Sequence, residues 1–440
     1  MTAESRIRQR DRDAILQSLA AGVVPRRGLH HVQVGRADEI AALLGDLDRI
    51  VDGGSTIRFV IGEYGSGKSF FLHLIRSAAL EKGVVTMHGD LTPDRRLHAT
   101  GGQARSLYSE LARNLATRTN PEGGALTSVV ERFIGQAQQQ ARASDQTVES
   151  VLHGHLNALS ELVGGYDFAD VVAAYWRGHD EGDVALKAAA VRWLRGEYST
   201  RTDARRDLGV RTIVDDENIY DQLKLLARFV RLAGYTGLVV ALDELVNLYK
   251  LANTRARSSN YEQILRILND CLQGNVAHLG FLLAGTPEFL TDTRRGLYSY
   301  EALQSRLSEN AFARGALKDF SGPVVRLPNL TPEELFVVLG KLRHIHAGGD
   351  PASYALPDPA LHAFMEHCSR RIGDAYFRTP RDTIRAFVQL LAVLEQNPGA
   401  SWAELIGTVD FAPEANPDLL GPDDLHSDRE PDDGLATFRL

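Results

Sequence analysis

Residues 62–69 read GEYGSGKS and follow the apolar run TIRFVI. Glycines at this spacing let backbone N–H groups turn inward around phosphate oxygens, and the start of a following helix adds positive potential. Gly62, Glu63, Tyr64, Gly65, Ser66 and Gly67 therefore read as a phosphate-binding loop. Lys68 would reach the β- and γ-phosphates of a nucleotide, the Ser69 hydroxyl would join a Mg²⁺ shell, and Phe70 is counted among the nucleotide-binding residues. A chance glycine-rich turn would lack the strand before and the helix after that this loop has.

The run GLVVALDE at 237–244 supplies the complementary acids. Asp243 is expected to hold Mg²⁺, directly or through water, and Glu244 to orient and deprotonate an attacking water. A protein that only held nucleotide would have no use for Glu244. In LLAGTPEFL, Thr286 stands just past another buried strand, where a hydroxyl meets the γ-phosphate or the lytic water; a Thr-Pro turn ending the strand is the competing reading. Arg306, in SYEALQSRLSE, fits an arginine finger offered to a neighbouring subunit, with Arg294 and Arg295 as rivals. Arg381 opens a helix after the Thr379 cap and can reach back to nucleotide, with Arg378 and Arg385 as alternatives. Val34 and Gly35, in VGRADEI, would wall the base, unless Asp38 and Glu39 simply mark a capped helix start. The pairs HGH at 153–155 and HIH at 344–346 lie two residues apart on helices, so their rings face apart and form no metal site.

These residues need a scaffold. Strands are expected at Ile57–Ile61, within GVVTMHGDL, within GLVVALDE and within LGFLLAGTPE, and helices at about Lys68–Lys82, 216–233 and 258–273. Strand, crossover helix, strand is the pattern of an α/β protein with a parallel sheet. Residues 1–55 read as an N-terminal helical segment with the base-side region, and 56–330 as the α/β core. Within the core, about 95–215 is helical throughout and too long for an ordinary connection, so it reads as a helical insertion. Residues 331–400 read as a small helical lid, and 401–440, rich in Asp, Glu and Pro, as a disordered tail.

Composition narrows the class. The chain of 440 residues has room for two or three cores, and its net charge of −8 argues against a nonspecific nucleic-acid coat. The cluster WLRGEYSTRTDARRD at 193–207 is a weak nucleic-acid signal beside a solvated helix end, which fits it better. Two distant cysteines, Cys271 and Cys368, give neither a metal spacing nor a disulfide framework. The polar start has no signal-peptide core and the apolar runs are strand-length, so a cytoplasmic protein without membrane spans is expected.

In their order along the chain, VGRADEI, GEYGSGKS, VVALDE, AGTPE, ALQSRL and TPRDTIRAF resemble the AAA+ superfamily near its origin-recognition and Cdc6-like branch. GEYGSGKSFFLHLIR, VRWLRGE, GYTGLVVALDELVNL and TPRDTIRAF look like the BREX-system ATP-binding proteins of the BrxD type. The resemblance implies an AAA+ P-loop ATPase of bacterial antiphage defence, a homo-oligomer that uses ATP and Mg²⁺ beside a helicase or other BREX components. It casts Lys68, Ser69, Asp243 and Glu244 as nucleotide and hydrolysis residues, Thr286 as the sensor, Arg306 as the trans-acting arginine and Arg381 as the lid sensor. Two departures stand out: Thr286 replaces the usual Asn, and residues 401–440 are too few and too acidic for a winged-helix domain. DNA contact would then fall to the insertion or to partners. A slow nucleotide-dependent switch is the alternative reading; a small-molecule kinase is disfavoured because no acceptor pocket is visible.

Overall fold

The computed structural model describes residues 7–313, 317–372 and 380–408. Arg378, Thr379 and the acidic tail from residue 409 lie outside the described residues.

Five strands form one sheet: β1 (Ser55–Ile61), β2 (Val84–Asp90), β3 (Gly237–Asp243), β4 (Leu279–Gly285) and β5 (Val324–Arg326). Their order is β2-β3-β4-β1-β5 and every pairing is parallel. Parallel neighbours require crossovers, and burial on both faces gives each strand a near-continuous apolar sequence. Because β3 and β4 lie between β1 and β2, the loops after β1, β3 and β4 leave the sheet side by side at its carboxyl edge. That edge is where open α/β sheets bind ligands.

The pleat divides the core. Ile57, Phe59 and Ile61 of β1 and Val85 and Met87 of β2 point into a large cluster shared with the long helical segment, including Leu107, Phe133, Phe168 and Phe229. Phe229 meets Phe133 and Phe168 edge-on at centroid distances of 5.3 Å. The opposite face, with Val60, Val239, Ala241 and Ala284, packs against Leu43, Leu47, Phe71 and Ile75 of helices Ala37–Val51 and Lys68–Glu81. One residue breaks the apolar pattern of β1. Arg58 is buried on this second face, where its Nε and Nη2 bond both oxygens of Asp46 at 2.5 and 2.9 Å.

The segment between β2 and β3 carries helices Gln103–Arg113, Leu126–Ser144, Val148–Leu156, Gly165–Asp180, Val184–Leu194 and Arg201–Leu208 before the crossover helix Ile219–Leu232. It is not a separate globule, since its apolar faces are continuous with the sheet core. Ala116 exchanges two backbone hydrogen bonds with Thr86, at 3.0 and 2.7 Å, and so covers part of the exposed edge of β2.

Helices Pro332–His346, Asp358–Ile372, Pro380–Gln396 and Trp402–Thr408 form a bundle with its own core, including Leu339, Leu361, Phe364, Phe387 and Leu391. Thr331 and Glu334 cap the first of these reciprocally. The N-terminal helix Gln9–Ala20 joins this bundle: Ile15 is fully buried in it, and Arg12 donates to the His346 carbonyl at 2.7 Å and to Glu395 at 2.8 Å. Residues 1–55 thus divide between two cores, with Ala37–Val51 on the sheet and Gln9–Ala20 on the bundle. Among the described residues, no helix is long and apolar enough to cross a membrane.

Candidate functional site

A cavity of about 650 Å³ opens at the carboxyl edge of the sheet, between the glycine loop, the 19–36 segment and the bundle. Its wall includes Val34, Gly35, Tyr64, Gly65, Ser66, Gly67, Lys68, Ser69, Phe70, Asp243, Glu244, Thr286 and Arg381. Gly62 and Glu63 begin the loop just outside that wall.

The loop's conformation depends on its glycines. Gly65 and Gly67 have φ of 75° and 86°, where a side chain would be strained. A Cβ on Gly62 would lie 2.5 Å from Ser66 Oγ. Gly67 caps helix Lys68–Glu81 without any side-chain acceptor, and this helix start, Gly67 to Phe70, lines the cavity. The Lys68 ammonium donates to the carbonyls of Gly62 and Glu63, both at 3.0 Å. Ser66 Oγ is buried and has no hydrogen-bond partner.

Ser69 ties the loop to the acids. Its hydroxyl donates to Asp243 Oδ2 at 2.5 Å, while Asp243 Oδ1 accepts the Glu244 N–H at 2.8 Å. Asp243 is thereby held in one orientation at the end of β3, and the exposed Glu244 follows with a left-handed φ of 58°. Such a conformation costs a non-glycine residue about 1 kcal/mol or more and recurs at functional sites. Thr286 is 3% exposed; it lines the cavity and also caps helix Pro287–Thr291 by accepting the Phe289 N–H at 3.4 Å. The turn-ending reading of Thr286 describes its hydrogen bond, and its place in the cavity wall leaves the hydroxyl beside the glycine loop's cavity.

On the bundle side, Arg381 Nη1 donates to Tyr64 Oη at 3.0 Å. Gly22 lies behind it, close enough that a Cβ there would sit 3.2 Å from Arg381 Nε. Arg385 does not line the cavity. Val34 and Gly35 do, and a Cβ on Gly35 would lie 2.2 Å from Glu334 Oε1, so the bundle closes on this glycine.

The three finger candidates lie elsewhere. Arg295 is 2% exposed and donates to the Leu251 carbonyl at 3.2 Å, which removes it from any outside surface. Arg294 and Arg306 are exposed and lie outside the cavity wall; Arg306 Nη1 donates to the Ala302 carbonyl at 2.9 Å. In the 193–207 cluster, Arg201 pairs with Asp215 at 3.0 Å and Arg206 with Asp203 and Asp207 at 3.0 and 2.9 Å, so much of the positive charge is answered locally. His155 bonds Gln140, His344 bonds Tyr354 and His346 bonds Glu395.

Several wall residues were not singled out from sequence, Asp90 and Arg36 among them. Asp90, at the end of β2, is in register with Asp243; partial burial and then the Asp243 carboxylate raise its pKa although its rim is exposed. Arg36 donates to the Ser66 carbonyl and, at 3.3 Å, to that of Pro328, and burial lowers its pKa. It braces the loop from behind. The only sequence signal for Arg36 was its position in VGRADEI; Asp90 had none beyond an acid at a strand end.

A parallel sheet whose first strand runs into a glycine-and-lysine loop, with an acid from β3, the strand beyond its neighbour β4, bonded to the loop serine, is the framework of an ATP-binding α/β protein. The chain belongs to the BREX system ATP-binding protein BrxC/D family, whose model matches residues 7–410. No curated protein and no solved structure matches it.

Proposed function

We propose that the chain is an ATP-hydrolysing AAA+ protein of a BREX antiphage system that remodels or loads a DNA-acting partner such as a helicase. The observation that carries this reading is the 2.5 Å bond from Ser69 to Asp243, with Glu244 next in the chain. It brings loop, acid and base candidate to one cavity.

In this reading, the N–H groups of the loop and the Lys68 ammonium bind the phosphates of ATP, and Arg36 keeps the loop from collapsing. Val34, Gly35 and Phe70 bound the base side. Glu244 accepts the proton of a water that attacks the γ-phosphate, yielding ADP and phosphate, while Thr286 positions that water. Among the described residues no group of three or more His, Cys, Asp or Glu is placed to hold a metal. One carboxylate and one hydroxyl nevertheless suit Mg²⁺, which takes most of its oxygens from phosphates and water. Ser69 and Asp243 would hold it, and it would neutralise charge on the phosphates. The bundle acts as a lid through Arg381, and the exposed Arg306 serves a neighbouring subunit.

A second reading is favoured by the Arg381–Tyr64 bond: a slow switch in which partners read the lid's state. Turnover as a function of protein concentration separates the two. The first reading expects specific activity to rise with concentration and Arg306→Ala to depress turnover in mixtures with wild type. A flat, slow rate unaffected by Arg306→Ala supports the switch instead.

A further inference from the structure

Beside the cavity lies a second cleft of about 100 Å³, sharing Arg26 and His73 with it. It is built where helix Lys68–Glu81 passes the outer edge of β2, and its wall also includes Arg76, His88 and Glu122. Arg76 is 7% exposed, yet among the described residues no carboxylate lies within ion-pair distance of its guanidinium. Its Nη1 bonds His73 Nδ1 at 2.9 Å, and its Nε has no partner. His88 Nδ1 is likewise buried and unpartnered. The one acid in the wall, Glu122, is bonded to Arg27 at 2.9 Å.

We propose that this cleft is a second anion site that takes one inorganic phosphate. A buried guanidinium with no carboxylate bonded to it carries a desolvation cost that a bound oxyanion would offset, and arginine forks match tetrahedral oxyanions well. Because Arg76 can only donate, the proton of a neutral His73 sits on Nε2, which leaves that N–H available as a further donor. Burial, with the positive charges of Arg76 and Arg26, lowers the pKa of His73 to about 4 and of His88 to about 3, and burial lowers that of Arg76 to about 10. Burial is the largest cause of all three shifts, the Arg26 charge adds to each, and Glu122 answers part of the positive charge at His73 and Arg76; a phosphate would enter what remains. The site does not depend on hydrolysis in the adjoining cavity.

The test is calorimetric titration of inorganic phosphate, at constant ionic strength, into the full chain in two forms. One is wild type saturated with ADP; the other is Lys68→Ala without nucleotide. Each is expected to show one saturable site, weakened at least tenfold by Arg76→Met and at least threefold by Arg26→Gln. If Arg76→Met fails to fold by circular dichroism, the exposed Arg26 decides through its own variant. Absence of saturable binding in both forms, loss of binding in Lys68→Ala, or wild-type affinity in the arginine variants overturns the proposal. If ADP does not bind at all, the nucleotide reading fails, and the Lys68→Ala titration still reports on the cleft.

Discussion

Arg381 and Tyr64 are 317 residues apart, yet the guanidinium of the first donates to the phenol oxygen of the second at 3.0 Å. The bond joins the first turn of bundle helix Pro380–Gln396 to the middle of the glycine loop, so the bundle's position and the loop's shape are coupled. Arg381→Ala is expected to weaken ATP affinity about three- to tenfold, the equivalent of roughly 1 kcal/mol for one partly exposed charge-assisted hydrogen bond. Tyr64→Phe should lose less, because the arginine remains. Titration with a fluorescent ATP analogue measures both, and equal affinity for wild type and Arg381→Ala would remove the bundle from nucleotide binding.

The buried pair of Arg58 and Asp46 makes a stability prediction. Their side chains are 7% and 5% exposed, and Arg58 also donates to the carbonyls of Phe320 and Gly322. Asp46→Ala strands a buried cation and should cost about 3–5 kcal/mol. An Arg58→Met, Asp46→Leu double variant should recover much of that loss. Urea unfolding of the two proteins checks the order; a single variant as stable as wild type contradicts it.

Some of these features are legible in the sequence and others are not, for physical reasons. Strands β3 and β4 were visible because burial on both faces demands runs such as GLVVALD and LGFLLAG. The glycine loop was visible because φ angles of 75° and 86° at Gly65 and Gly67 restrict residue type. Strand β5 escaped because Val324–Arg326 is only three residues long and lies between Pro323 and Pro328. Pairings such as Asp90 with Asp243, or Arg381 with Tyr64, depend on register and tertiary approach, which no local pattern encodes. The shared core of the helical insertion and the sheet was hidden for the same reason: periodicity reveals an apolar face without revealing what covers it.

Acid should weaken the fold through His73 and His88. Their pKa values in the folded chain, about 4 and about 3, lie below the unfolded value of 6.5. Below pH 6.5 the unfolded chain therefore binds protons that the folded chain refuses, and stability falls as pH drops. With two such protons the slope near pH 5 is about 2–3 kcal/mol per pH unit from this pair. The raised pKa of Asp90 acts in the opposite direction and offsets part of it. Chemical denaturation between pH 7.5 and 4.5 should show a shallower decline for a His73→Gln, His88→Gln double variant than for wild type; parallel curves would refute the assignment.

Glu244 is the group proposed to take the water's proton. Its decisive test is single-turnover hydrolysis of radiolabelled ATP by Glu244→Gln, with retained nucleotide measured on the same samples. The amide keeps the side chain's size but removes its basicity, so ATP should stay bound near wild-type affinity while phosphate release falls about 100-fold or more. Hydrolysis at the wild-type rate, with ATP bound equally well, would contradict the claim that this carboxylate activates the water.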